Sequence, residues 1–466
     1  MTDSLNKIIH LYNRAGFGLH PLEQKRLKEA SIEFAIERVF KNVKSPKPIN
    51  YLPDPRNRKG DVGSFKTLKL ILKSRQELRE LNLAWLKRMA ITDDVLREKM
   101  TLFWHDHFAT NVAFAYLMQI QNNTLRELAL GNFKNMLHAV SKDPAMIIYL
   151  NNQQNKKEQP NENFAREVLE LFTIGPGNYS ENDIKEAARA FTGWQVNGRG
   201  EFEFNESQHD FGDKHFMGES GNFNGNDILD IILKRKETAH FICSKIYRYF
   251  VNETLDESDE AIIDALAISF YNDNYDIYNL MLTIFSSSWF YDDKNRASKI
   301  KSPAELLVGF IKLVNIKSPN KEAFLKVQES LGQILFFPPN VAGWPGGKYW
   351  IDSTSLLIRM KLPLAFFSGE RLALSNKVTF EQAENTSPSK EELGLRMKAN
   401  WKFVIQAFEN VPDAMLAESI YCSLVSPSLA AVPEEFILSG TKGLKKEEAI
   451  KWMVINTMAL PEFQLC

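Results

Sequence analysis

Cysteine is scarce in this chain. Cys243, Cys422 and Cys466 are the three among 466 residues, and none sits in a CxxC pair, so a disulfide framework is excluded and a reducing compartment fits. Long apolar runs are missing as well. No stretch reaches the 18 or so consecutive apolar residues that a membrane-spanning helix needs, and the opening MTDSLNKIIHLYNRAGFGLHP lacks the basic start and apolar run of a secretory signal. A cytoplasmic location is therefore expected. No charge of one sign dominates: 57 Lys and Arg against 58 Asp and Glu leave a net charge of -1, so no overall field draws the protein to nucleic acid or an acidic membrane. Familiar catalytic signatures are absent too. There is no GxSxG elbow, no P-loop, no GxGxxG after a strand, no HExxH and no kinase signature set.

What is present is apolar material in helical register. A hydrophobic share of 44% with 25% charged residues is the composition of a globular protein with a sizeable core. From Ser4 to Tyr12 the apolar residues recur at helical spacing, and Gly16 and Gly18 suit a stop before a restart at Pro21. Further helices are expected from Phe65 to about Ile91, over DVLREKMTLFWHDHF with Asp93 and Asp94 suited to cap it, and over 113–130, 133–141 and 163–174. Ser180 and Asp183 form a capping-box-like start for the next helix. Helical texture breaks over 195–218, where a small β-hairpin or extended insertion is expected, and again over the Pro/Gly/Trp-rich loop 336–350. The weakly patterned segment 374–390 reads as a surface excursion. With no repeat and no clear linker, one mainly α domain spanning 1–466 is the expectation.

Four groups of residues are candidates for chemistry. His105 and His107 flank Asp106 at the end of a helix, where two imidazoles reach one metal only if the helix frays; otherwise one packs and the other is solvated. In NENFAREVLELFTIG, Glu167 and Glu170 share a face, and Arg166 lies one turn before Glu170, which suits metal ligation, a buried ion-pair network or simply a solvated helix face. His209, Asp210 and Lys214 lie in the non-helical insertion, where functional groups are often held but polar residues are also ordinary. In PPNVAGWPGGKYW, Trp344, Tyr349 and Trp350 suit either an aromatic platform or a loop that plugs a gap between helices.

Taken together, HLYNRAGFG, KMTLFWHDHFAT, NENFAREVLELFTIG, EAARAFTGW, HDFGDKHFMG, HFICSKIYRYFV, IKSPAEL, FFPPNVAGWPGG and the closing PEFQ resemble the bacterial domain-of-unknown-function 1800 family over nearly the whole chain. The resemblance implies a single, largely helical family domain whose activity is unassigned. It also implies a functional partner, since such proteins are often encoded beside a sulfatase-like or alkaline-phosphatase-like protein. The family's motifs fall on His105, His107, Asn161, Glu162, Arg166, Glu167, Glu170, Arg189, His209, Asp210, Lys214, Asn340 and Trp344.

Polar groups of these types are costly to bury unpaired, so their concentration in a helical chain points to a polar centre. The expectation is a divalent-metal site using His105, His107, Glu170 and His209, with Glu167, Arg166 and Lys214 as catalytic or substrate-binding groups in a hydrolase-like reaction on an anionic substrate. The competing expectation is a non-catalytic accessory protein whose charged motifs fix helix register. Arg166 is expected to partner a buried carboxylate, and loss of such a partner costs about 3–5 kcal/mol.

Overall fold

The computed structural model describes residues 3–41, 46–54, 68–316, 321–375, 377, 391–425 and 432–466. The fold is mainly α, with 21 α-helices among the described residues and only two-stranded antiparallel sheets. The expected insertion is two hairpins rather than one: Trp194–Val196 pairs with Phe202–Phe204, and Lys214–Phe216 pairs with Glu219–Gly221. A third pairing, Arg371–Leu374 with Glu391–Gly394, was not anticipated. Most of the surface excursion expected at 374–390 lies outside the described residues, as does the start of the helix expected from Phe65. No helix among the described residues is long and apolar enough to cross a membrane.

Local chemistry sets the helix ends. Ser180 accepts from the Asp183 backbone N–H while Asp183 accepts from that of Ser180, the reciprocal box expected from the sequence. Gly175 and Gly177 stop the preceding segment with φ of 76° and 85°. Asp94 does occupy the N-cap of Val95–His107, but its carboxylate binds the Arg97 guanidinium at 2.8 Å instead of capping the helix. The expected helix 163–174 is α only over Asn163–Glu167 and widens into a π-helix over Val168–Thr173. Thr173 Oγ1 donates to Val168 O, five residues back, at 2.5 Å. π-Turns are rare and recur at functional sites, because they release carbonyls from the regular ladder.

Two hydrophobic clusters fill the interior. One joins helices from Ile8 through Tyr291, and the other joins Leu78–Met118 to the helices from Ala304 to Phe463. The helix Val95–His107 runs along the seam: Leu96, Met100, Phe103 and Trp104 face the first cluster, while Leu102 faces the second. Every residue of this helix except Asp106 is buried. Its charged residues are paired inside. Glu98 receives Arg126 at 2.8 Å, Arg88 at 2.5 Å and the Trp85 indole N–H at 2.9 Å, and Lys99 pairs with Glu305.

Candidate functional site

The helix stays regular through His107, so imidazoles two residues apart point in different directions, one into each side of the seam. His105 packs against Trp85, Phe336 and Trp344, and its Nε2 accepts from the Phe336 N–H at 3.0 Å. Burial drives its pKa down to about 3, which keeps the ring neutral. His107 packs among Trp104, Phe108 and Phe172. Its Nε2–H donates to the Phe172 carbonyl at 3.1 Å, and its Nδ1 accepts from Lys245 Nζ at 3.1 Å. Burial first, and the Lys245 charge second, hold His107 well below its ordinary pKa. His107 therefore does meet the segment bearing Glu170, but through that segment's backbone.

The other anticipated residues are held elsewhere. His209 sits between Phe204 and Phe211 with Nδ1 at 2.9 Å from the Thr192 carbonyl. Lys214 is buried and donates to the Asp210 carbonyl, while Arg189 clamps the Asp210 carboxylate at 2.7 Å and Glu186 at 2.9 Å. The HDFGDKH insertion is thus locked onto the helix Glu181–Ala190. Glu170 accepts from the Tyr179 hydroxyl at 2.7 Å. Glu167 is partly buried, and burial followed by the Glu170 charge raises its pKa. Arg166 is not the buried partner expected: its side chain is 36% exposed, and it pairs with Glu162 and Glu181, which are 37% and 69% exposed.

His105, His107, Glu170 and His209 are consequently not gathered around one point, and among the described residues no group of three or more His, Cys, Asp or Glu side chains is placed to hold a metal ion. The physical reason is that the π-segment, the insertion and the loop each draw one of these side chains into a separate hydrogen bond. Asn340 and Trp344 also serve the loop itself. Asn340 Oδ1 accepts from the Ala342 N–H at 2.9 Å, and Trp344 is buried while Tyr349 is 65% exposed, which matches a gap-filling loop more than an aromatic platform.

What the structure does assemble centres on a residue between the two histidines. Asp106 is the one residue of its helix left partly open, and its Oδ1 accepts from the Trp344 N–H at 2.7 Å. Gly343, at φ 82°, lets the loop pass so close that a Cβ there would lie 2.6 Å from the Asp106 carbonyl. Burial raises the Asp106 carboxyl to about 6 despite the Trp344 hydrogen bond and the Lys245 charge. Lys245, on the helix Lys236–Phe250, donates to His107 Nδ1 and, at 3.3 Å, to the Leu171 carbonyl of the π-segment. Burial lowers this amine to about 8, with Asp106 opposing the shift. One turn on, the Tyr249 hydroxyl is buried without a protein partner, within the influence of Asp106 and Glu305.

Sequence reasoning named the flanking histidines and passed over Asp106 and Lys245. A signal was available for both: an acid between two buried imidazoles, and a lysine among Ile242, Cys243, Ile246 and Tyr247 on an apolar helix. The WHDHF helix, the π-segment, the KIYRYF helix and the AGWPGG loop, four of the stretches that carried the resemblance, meet here. No curated protein and no solved structure matches the chain. A family model does, over residues 10–465, and the chain belongs to that family, described as protein of unknown function (DUF1800).

Proposed function

We propose that the protein is a hydrolase-like enzyme that acts on an anionic substrate by proton transfer at Asp106 and Lys245. The observation that carries this reading is the convergence of four motif segments on one acid and one amine, the acid being the one half-buried residue of an otherwise buried helix. A carboxyl near 6 and an amine near 8 exchange protons close to neutral pH, the condition for general acid–base work. Lys245 has three N–H donors and commits two of them, to His107 and Leu171, leaving one for a substrate oxyanion. Neutral His107 acts as a positioning residue, because its Nε2–H anchors it to the π-segment while its Nδ1 aims the amine.

The test is competitive acylation of lysines across pH, read by peptide mass spectrometry. Lys245 should react with a midpoint near 8, and Asp106→Asn should lower that midpoint, since the carboxylate supports the ammonium. A midpoint near the ordinary lysine value of about 10.4 would sink the reading. In a parallel screen of p-nitrophenyl phosphate, sulfate and carboxylic esters, Asp106→Asn and Lys245→Met should each abolish the turnover found in the parent. Turnover that survives both refutes the assignment.

A second reading is supported by the internal locking of HDFGDKH, whose His209, Asp210 and Lys214 are all committed within the chain, Asp210 to Arg189 of the helix Glu181–Ala190. There the motifs fix register in a non-catalytic accessory protein, with a sulfatase-like protein as partner. Ordinary Lys245 reactivity together with co-purification of such a partner favours this second role.

A further inference from the structure

The loop that reaches Asp106 is anchored at its two ends and little in between. At one end Phe336 is fully buried and gives its N–H to His105; at the other Trp350 is buried and its carbonyl accepts from the Ser355 hydroxyl at 3.1 Å. Between these anchors only Pro338, Gly343 and Trp344 are buried. The stretch is stiff within itself. Pro338, Pro339 and Pro345 fix φ, and Asn340 closes a turn by accepting from the Ala342 N–H at its side-chain oxygen, at 2.9 Å, and from the Gly343 N–H at its carbonyl, at 3.2 Å.

The backbone leaves the ordinary regions at both ends of this stiff piece. Phe336 holds a φ of 69°, a left-handed conformation that bulky L residues rarely adopt. Gly346 has φ 67° and ψ -177°, a region open to glycine alone, and Gly347 follows at φ 54°. Strain of this kind persists only where the surroundings enforce it, and it recurs at clamps and switch segments. Large backbone changes at a few end residues are also how a stiff segment pivots.

Trp344 is what holds the piece down. Its ring packs on His105 with centroids 5.7 Å apart, its N–H bonds Asp106 Oδ1 at 2.7 Å, and Gly343 lies against the Asp106 carbonyl. A hydrogen bond to a carboxylate is stronger than one between neutral groups, so this single bond can hold the closed position. It also occupies an oxygen of the acid that the proposed reaction needs.

We propose that residues 337–349 form a strap closed over Asp106, latched by Trp344 and pivoting at Phe336 and at Gly346 and Gly347, and that the strap lifts to admit substrate. Its purpose rests on the reading of Asp106 as the acid, while its motion is measured by itself. Amide hydrogen exchange of the full chain, read by NMR with tryptophan labelled, compares Trp344 with Trp104 of the buried helix. Protection at Trp344 should be at least tenfold lower, and its exchange should barely respond to low urea, because lifting the strap exposes little surface while unfolding exposes much. Equal protection and equal urea response at the two amides overturn the proposal, since the loop then leaves only with the whole fold. Gly346→Ala adds a methyl group that meets no atom within 4 Å but forces an L residue into the glycine-only region, so it should speed exchange at Trp344 at least fivefold. Gly440→Ala, at φ 73° and equally free of neighbours, strains the backbone far along the chain and should leave that rate unchanged. Acceleration by both variants alike, or by neither, refutes the pivot. Carbodiimide-driven amidation of Asp106, read by peptide mass spectrometry, should rise in Gly346→Ala by the same factor as the exchange. If Asp106 is modified no faster, the strap does not cover it and the proposal falls. An ordinary acylation midpoint at Lys245 would remove the acid–base reading and leave these strap measurements standing, so the two fail separately.

Discussion

Acid should loosen the seam between the two cores at His105. Folding holds this imidazole near a pKa of about 3, against 6.5 when exposed, because protonation would charge a ring enclosed by Trp85, Phe336 and Trp344 and turn its Nε2 from acceptor into donor against the Phe336 N–H. The unfolded chain therefore takes up the proton first. Stability contributed by the neutral ring is complete above pH 6.5 and is lost as pH falls from 6.5 toward 3. At 1.36 kcal/mol per pH unit, the loss attributable to His105 is about 2 kcal/mol at pH 5 and about 5 kcal/mol once the window is crossed. His10 and His107 are also held well below their ordinary values and add to the acid response of the whole protein, so the parent alone does not isolate one residue. His105→Gln does, because a glutamine oxygen can still accept from Phe336 but does not titrate. Urea unfolding at pH 7, 6 and 5, followed by tryptophan fluorescence, should show the parent more stable at pH 7 and the gap shrinking by about 2 kcal/mol by pH 5. A gap that stays constant across this range refutes the reasoning, as does an NMR titration of His105 near 6.5.

Two further expectations follow from the site's surroundings. Arg166→Ala should cost only about 0–1 kcal/mol in thermal or urea unfolding, because all three members of its ion-pair network are more than a third exposed; a loss of several kcal/mol would restore the buried role expected from the sequence. Gly343→Ala should lower stability by at least about 1–3 kcal/mol from the left-handed backbone alone. Its added methyl group would also strike Asp106, so the acylation midpoint of Lys245 should move; an unchanged midpoint means the loop does not hold the acid.

Much of the fold was legible because helix boundaries are local. The Ser180–Asp183 box, the Gly175 stop and the break after Trp194 depend on residues within a few positions of one another. The π-segment was not legible. LELFT reads as ordinary helix by periodicity, and its widening goes with the Thr173 bond to Val168 and with His107 and Lys245 taking the Phe172 and Leu171 carbonyls from distant helices. The site was half legible for the same reason. A spacing of two on a helix correctly separates His105 from His107, whereas no spacing reveals that the AGWPGG loop, more than 200 residues on, would settle on the acid between them.

The sequence by itself determined the helical class, the family and the segments that carry polar motifs, since composition, periodicity and capping residues act over short range. Tertiary structure decided which of those polar groups are used up and which stay open. Arg166 looked buried and is more than a third exposed, while Asp106 was not singled out and is the one half-buried residue of a buried helix. Burial and pairing depend on what arrives from elsewhere in the chain, and that is settled only when the two cores close on the helix between them.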